Sequence, residues 1–194
     1  MKYALPFDDP LLPNFAEYVI SDGFLPHETI RILEHWDNKK VEKAAVSGEE
    51  KYNEELRKSS LIGLEPSDDT HWIYERIASL ATSVNAQRYG FELRGFLEPL
   101  QLMEYKTGDL FDWHMDFSAG EVSHRKLSIT VQLSDAESYE GGDLQFMINK
   151  EAENAPRRIG SVIVFPSFIR HRVTEVTSGT RYSIVAWLSG PPYR

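Results

Sequence analysis

From residue 91 onward the apolar residues stop recurring at helical spacing and begin to alternate, and that change of period limits the folds open to the chain. Residues 99–105, 126–133, 143–148, 161–165 and 181–188 all read as strands. Turn signals separate them at Gly108, Gly141-Gly142, Gly160 and Ser178-Gly179. The stretch 126–133 alternates without a break, with Leu127, Ile129, Val131 and Leu133 on one face and Ser128, Thr130 and Gln132 on the other. Short antiparallel strands at this spacing predict a sandwich or barrel.

The first half reads differently. Residues 18–22 predict a short strand and 28–36 a helix with Ile30, Leu33 and Trp36 on one stripe. Residues 37–58 are highly charged and read as a solvated loop with some helix, a lid over a site being the alternative. Ser67-Asp68-Asp69-Thr70 is a helix start, and Ile73, Ile77, Leu80 and Val84 behind it mark a helix over 71–86 that Gly90 ends. The 194 residues suggest a single domain, with a helix-rich support over 1–95 and a β core over 96–190.

Composition removes several function classes. The absence of cysteine excludes disulfides, thiolate metal sites and cysteine nucleophiles. A formal charge of −9 argues against a phosphate-gripping surface, so no nucleic acid is expected as a partner. No apolar run approaches the roughly 18 residues of a membrane span, and 1–15 lacks a signal-peptide core. The expectation is a cytoplasmic protein with no membrane partner.

Of six histidines, His27, His35, His71 and His124 lie among polar neighbours and read as surface or capping residues. His114 differs, because Asp116 follows it by two positions, and on an extended chain such residues project from one face. His171, after the strand end Val164-Phe165-Pro166, can close the set from the opposite edge of a barrel. Two imidazoles and a carboxylate on one face suit non-haem iron(II) with positions left open. Ten residues beyond His171, Arg181 begins the last strand and shares its inward face with Ser183, Val185 and Trp187. A buried arginine is costly unless it meets an anion, and its planar fork suits a carboxylate.

The His114-x-Asp116 pair, distal His171 and Arg181 resemble the iron(II)- and 2-oxoglutarate-dependent dioxygenases, and within them the prolyl-4-hydroxylase-like branch with its bacterial and phage-encoded relatives. Arg57-Lys58-Ser59, Tyr105, the stretch 125–146 with Gly141-Gly142-Asp143, and the stretch 165–187 extend the resemblance over most of the chain. It implies a mainly β, double-stranded β-helix (jelly-roll, cupin-like) barrel with N-terminal helices on one sheet. It also implies Fe(II) on His114, Asp116 and His171, and 2-oxoglutarate held by Arg181 with help from Ser183, Tyr105 and Gln132. Trp187 and Arg57 would face the substrate, a core role for Trp187 being equally open. Related halogenases carry a small residue where Asp116 stands, which favours hydroxylation, and related nucleic-acid demethylases carry an arginine where Trp187 stands. The implied reaction consumes dioxygen, with ascorbate an optional auxiliary, and hydroxylates a prolyl residue of a peptide or protein, or free proline. Another amino acid or small molecule is the alternative substrate. A cupin-like metal protein or isomerase that ignores 2-oxoglutarate is the rival of another class, and a catalytically dead binding module a third reading.

Overall fold

The computed structural model describes residues 16–36, 41–43, 56–148 and 150–192. Strand β1 (Tyr18–Ile20), helix α1 (Pro26–Leu33) and strands β2 (Glu42–Lys43), β3 (Arg57–Lys58) and β4 (Ser60–Leu64) lead to α2 (His71–Arg88). Nine strands follow: β5 (Leu100–Lys106), β6 (Leu110–His114), β7 (Arg125–Gln132), β8 (Tyr139–Gly141), β9 (Leu144–Ile148), β10 (Glu151–Asn154), β11 (Val162–Pro166), β12 (His171–Val173) and β13 (Val176–Ser189). They form two antiparallel sheets. The larger runs β1-β11-β7-β13-β5-β4-β2, with β8 paired to one end of β13; the smaller runs β10-β9-β12-β6-β3. This is the double-stranded β-helix expected, with its helices on the larger sheet.

Strand β7 shows why the sheets face as they do. Leu127, Ile129 and Val131 point to the helices, where they join Ile73, Ile77, Ala81 and Val84 of α2 in a fully buried cluster. Ser128, Thr130 and Gln132, on the other face, are buried as well, because the smaller sheet covers them. A second cluster fills the space between the sheets, with Met103, Tyr105, Ile163 and Phe165 from one meeting Leu144, Phe146 and Val173 from the other. The central strands β7 and β11 of the larger sheet are therefore buried on both faces.

Helix α2 ends as its sequence suggests, the Gly90 N–H reaching the Asn85 carbonyl at 2.8 Å. Helix α1 departs from the expected phase. Pro26 opens it, the Glu28 carboxylate accepts the Leu25 N–H at 2.8 Å, and the face turned inward carries Thr29 and Ile32. Ile30, expected on the apolar stripe, is 62% exposed, while Leu33 and Trp36 do pack on the core. The start set by proline and the Glu28 cap rotates the helix away from the face that apolar spacing alone suggested. Strands β4, β6, β8, β10 and β12 are not legible in the sequence: β10 is exposed throughout, and β12 has three residues. Of the charged segment, β2 and β3 are seen; residues 37–40 and 44–55 lie outside the described residues, so its reading as a lid lies there too. Among the described residues no helix is long and apolar enough to cross a membrane.

One turn admits glycine alone. At Gly160, φ is +77° and an added Cβ would stand 1.9 Å from the Phe24 carbonyl oxygen. The Phe24 N–H bonds the Gly160 carbonyl at 3.0 Å, and this close approach ties the start of α1 to the turn before β11.

Candidate active site

Strand β6 ends at His114, and the chain turns at Asp116. Strand β12 lies antiparallel beside it with His171 directly opposite His114, so the two rings sit with centroids 4.2 Å apart. His114 Nε2 is 3.6 Å from Asp116 Oδ1, and His171 Nε2 is 3.5 Å from Asp116 Oδ2. One donor atom from each of the three residues lies within 4.8 Å of the others, the one such cluster among the described residues. Each imidazole has its Nδ1 against a carbonyl of its own strand end, Asp112 at 2.7 Å for His114 and Ile169 at 2.9 Å for His171. A carbonyl only accepts, so Nδ1 carries the proton and the Nε2 lone pair faces the cluster.

The charges are already those of ligands. Burial alone would raise the Asp116 carboxyl, but the charge that His171 and His114 carry when protonated, together with the Ser128 hydroxyl, outweighs it and holds the group far below the usual carboxylate range. Burial pushes the His171 imidazole down to about 4, with His114 assisting and Asp116 opposing. At neutral pH the cluster therefore presents a carboxylate and an uncharged His171, the forms that a cation requires.

A cavity of about 400 Å³ opens over the cluster, lined also by Tyr105, Phe111, Arg57, Thr130, Val185, Trp187, Ser183 and Arg181. Arg181, Ser183, Val185 and Trp187 do share the inward face of β13. Arg181 is 1% exposed. Its Nη2 donates to Gln132 Oε1 at 2.9 Å and its Nη1 to Ser183 Oγ at 3.2 Å, while Nε has no hydrogen-bond partner. Both partners are neutral, and no carboxylate of a described residue pairs with it. Its guanidinium also stands 5.5 Å from the Tyr105 ring, across the β5–β13 pairing. Gln132 is placed behind this arginine, with its Nε2 donating to the Pro156 carbonyl at 3.2 Å, and is not among the cavity-lining residues. At Gly142 an added Cβ would come within 3.2 Å of Arg181 Cδ and 2.9 Å of Val176 Cγ2, so the backbone there leaves room for the guanidinium stem.

Several residues of the site were not singled out from sequence. Arg125 is buried, stacks 3.7 Å from the Trp187 ring, forks onto the Glu98 carboxylate and donates to the Asp116 carbonyl at 3.3 Å. Ser128 donates to Asp116 Oδ2 at 2.6 Å. Phe111 lies flat against His114, with ring centroids 3.4 Å apart and planes 10° off parallel, and Arg57 stands 4.5 Å over the same phenyl ring. His124, expected at the surface, is half-buried with Nε2 3.6 Å from Glu98. The alternation of β7 put Ser128 on the inward face; nothing local pairs Arg125 with Glu98, 27 positions away.

Comparison with known proteins agrees with this geometry. The sequence model of the 2OG-Fe(II) oxygenase superfamily matches residues 100–189. A PKHD-type hydroxylase of Synechococcus sp. (strain CC9605) is 32% identical over 126 residues, 64% of this chain and 57% of the relative. One of Hyphomonas neptunium is 39% identical over 85 residues, 42% of this chain and 38% of the relative. The matched part thus falls short of two thirds of these relatives' length. Among solved structures, a Pseudomonas putida prolyl-4-hydroxylase superposes with a TM-score of 0.72 at 18% identity, covering 90% of this chain and 92% of that one. A Trichoplax adhaerens prolyl hydroxylase in complex with a hypoxia inducible factor peptide fragment gives 0.74 at 14% identity, covering 90% and 84%. These likenesses show the fold. Residues 100–189 thus match the 2OG-Fe(II) oxygenase superfamily, and the chain shares its fold with the prolyl hydroxylases of known structure.

Proposed function

We propose that this protein is an iron(II)- and 2-oxoglutarate-dependent hydroxylase whose favoured substrate is a prolyl residue in a peptide or protein, or free proline. The observation that carries the reading is the pairing, in one cavity, of a two-histidine, one-carboxylate cluster with a buried arginine that has no acid partner among the described residues. The donor set fits iron(II): two imidazole nitrogens and one carboxylate, gathered on one side, with the cavity open on the other. An uncompensated buried cation costs about 3–5 kcal/mol, so Arg181 fits a site that is completed by an anionic ligand.

When bound, iron and 2-oxoglutarate supply the oxidation: dioxygen is consumed, 2-oxoglutarate becomes succinate and carbon dioxide, and one oxygen atom enters a C–H bond of the substrate. The protein binds, orients and shields. Asp116 and the two imidazoles hold the metal. Arg181 receives the remote carboxylate through its fork while Ser183 and Gln132 keep the fork from swinging, and Tyr105 borders the same end. Phe111, Val185 and Trp187 wall the upper cavity with apolar surface, which suits a pyrrolidine ring better than a charged side chain and keeps water away from the reacting carbon. Arg57 lines the same cavity, while Arg125 is committed to Glu98 and the Asp116 carbonyl and backs the Trp187 ring.

The test is an anaerobic titration with iron(II) and then 2-oxoglutarate, read by the visible charge-transfer band that needs both on one centre. The band is expected with the wild type and absent with His114→Ala. Iron binding without any band would favour the cupin-like alternative. Substrate is then sought by succinate release with prolyl peptides and with free amino acids, where turnover only with a non-prolyl compound would move the assignment.

A further inference from the structure

Resting on the metal-centre reading above, we propose that Ser128, backed by Ser167, is a positioning residue that keeps the Asp116 carboxylate monodentate, reserving Oδ1 for the metal. A carboxylate has two equivalent oxygens, and both of those on Asp116 face the cluster, Oδ1 at 3.6 Å from His114 Nε2 and Oδ2 at 3.5 Å from His171 Nε2. Nothing in the triad itself chooses between them. A carboxylate that chelates through both would occupy one of the coordination positions that the cavity leaves open.

Ser128 breaks the symmetry. Its hydroxyl donates to Oδ2 at 2.6 Å, the short distance of a charge-assisted hydrogen bond, and takes up electron density on that oxygen. A hydroxyl has one proton. With that proton on Oδ2, the Ser128–Ser167 contact of 3.1 Å must run the other way, Ser167 donating to Ser128. Both serines are 0% exposed, so water does not compete for either bond. The backbone grips the same residue: the Asp116 N–H donates to the Ser167 carbonyl at 2.9 Å, and Arg125 donates to the Asp116 carbonyl at 3.3 Å. Ser167 thus touches Asp116 twice, by its carbonyl directly and by its hydroxyl through Ser128. The device spans three places in the chain: the turn after β6, the inward face of β7 and the turn after β11. Partners of metal ligands typically contribute about 10–100-fold to metal affinity.

The experiment uses cobalt(II) as an oxygen-stable probe on the full chain. Ser128→Ala should bind cobalt(II) about 10–100-fold more weakly and shift the visible cobalt bands, in a metal-free protein that still folds. Ser167→Ala, which keeps the direct bond, should lose less. Unchanged affinity and bands in a folded Ser128→Ala protein would overturn the proposal. Should that variant not fold, the wild type still decides. With isotope-labelled aspartate, the cobalt-minus-apo infrared difference should show the wide splitting of carboxylate stretches that marks monodentate binding, and a narrow, chelating splitting would sink the idea. Failure of His114→Ala to weaken cobalt binding would instead show that the metal-centre reading is at fault.

Discussion

Arg181 and Asp116 are both buried charges of the site, and they are treated in opposite ways. Asp116 is compensated on the spot by the two histidines and by the Ser128 hydroxyl. Arg181 receives only neutral acceptors, Gln132 and Ser183. A buried cation left in that state is poised for an anion, and a charged hydrogen bond contributes about 1.5–3 kcal/mol. Arg181→Gln is therefore expected to raise the 2-oxoglutarate dissociation constant of the iron form by about 10–100-fold, at roughly 1.4 kcal/mol per tenfold. Because the substitution also removes a costly buried charge, the melting temperature of the ligand-free protein should not fall. Titration of the charge-transfer band gives the first quantity and circular dichroism the second; unchanged 2-oxoglutarate binding would place its carboxylate elsewhere. The stack of Arg57, Phe111 and His114 belongs to this scale too, since it fixes the plane of one imidazole from the side that Asp112 does not touch.

Among the elements, α1 and α2 are joined by Glu28 and by Arg31, whose guanidinium stands 4.9 Å from the Trp72 ring. Glu28 caps the start of α1 through the Leu25 N–H and forks onto Arg76 of α2 at 3.0 and 3.2 Å. The Arg76 hydrogen bonds, against a smaller desolvation, hold the Glu28 carboxyl below its ordinary value. A carboxyl lowered in the folded state contributes stability that is complete above its unfolded pKa of about 4.3, and loses it as pH falls through the folded value. Glu28→Gln should thus lower the melting temperature at pH 7, and the gap to the wild type should close as the pH is taken well below 4. Melting curves by circular dichroism across that range check it; a gap constant with pH would mean that the cap, not the charge, supplies the stability. Strand β6 shows the complementary case. Its ladder to β12 sets His171 opposite His114, so the metal cluster depends on strand register as much as on side-chain identity.

For the molecule as a whole, the larger sheet separates stability from chemistry. Its outer face carries the helices and the main apolar cluster, and its inner face carries Arg181, Ser128 and the cavity. Neighbouring residues of β7 therefore serve different ends. Ile129→Ala, on the helix side, should cost about 2–5 kcal/mol of stability while leaving cobalt(II) affinity unchanged. Ser128→Ala, one position away, should weaken cobalt(II) binding while costing less stability than Ile129→Ala. Chemical denaturation and cobalt titration on the same two proteins test the separation. A parallel loss of metal affinity in Ile129→Ala would show that the sheet transmits core strain to the site.

What the sequence determined by itself follows from local periodicity. Alternation in 126–133 assigned each residue of that strand to its face, the two-residue spacing of His114 and Asp116 placed them together, and the period of β13 put Arg181, Ser183, Val185 and Trp187 on the cavity side. Such patterns survive in sequence because side-chain direction repeats over two or four residues. The tertiary structure alone decided the rest. It set the His171–His114 register, the Glu98–Arg125–Asp116 clamp, the Ser167–Ser128 pair, the Phe111 stack and the rotation of α1 that leaves Ile30 in solvent. Those contacts join residues distant in the chain or depend on where a cap starts a helix. Their geometry comes from how two sheets close on one another, which no local period encodes.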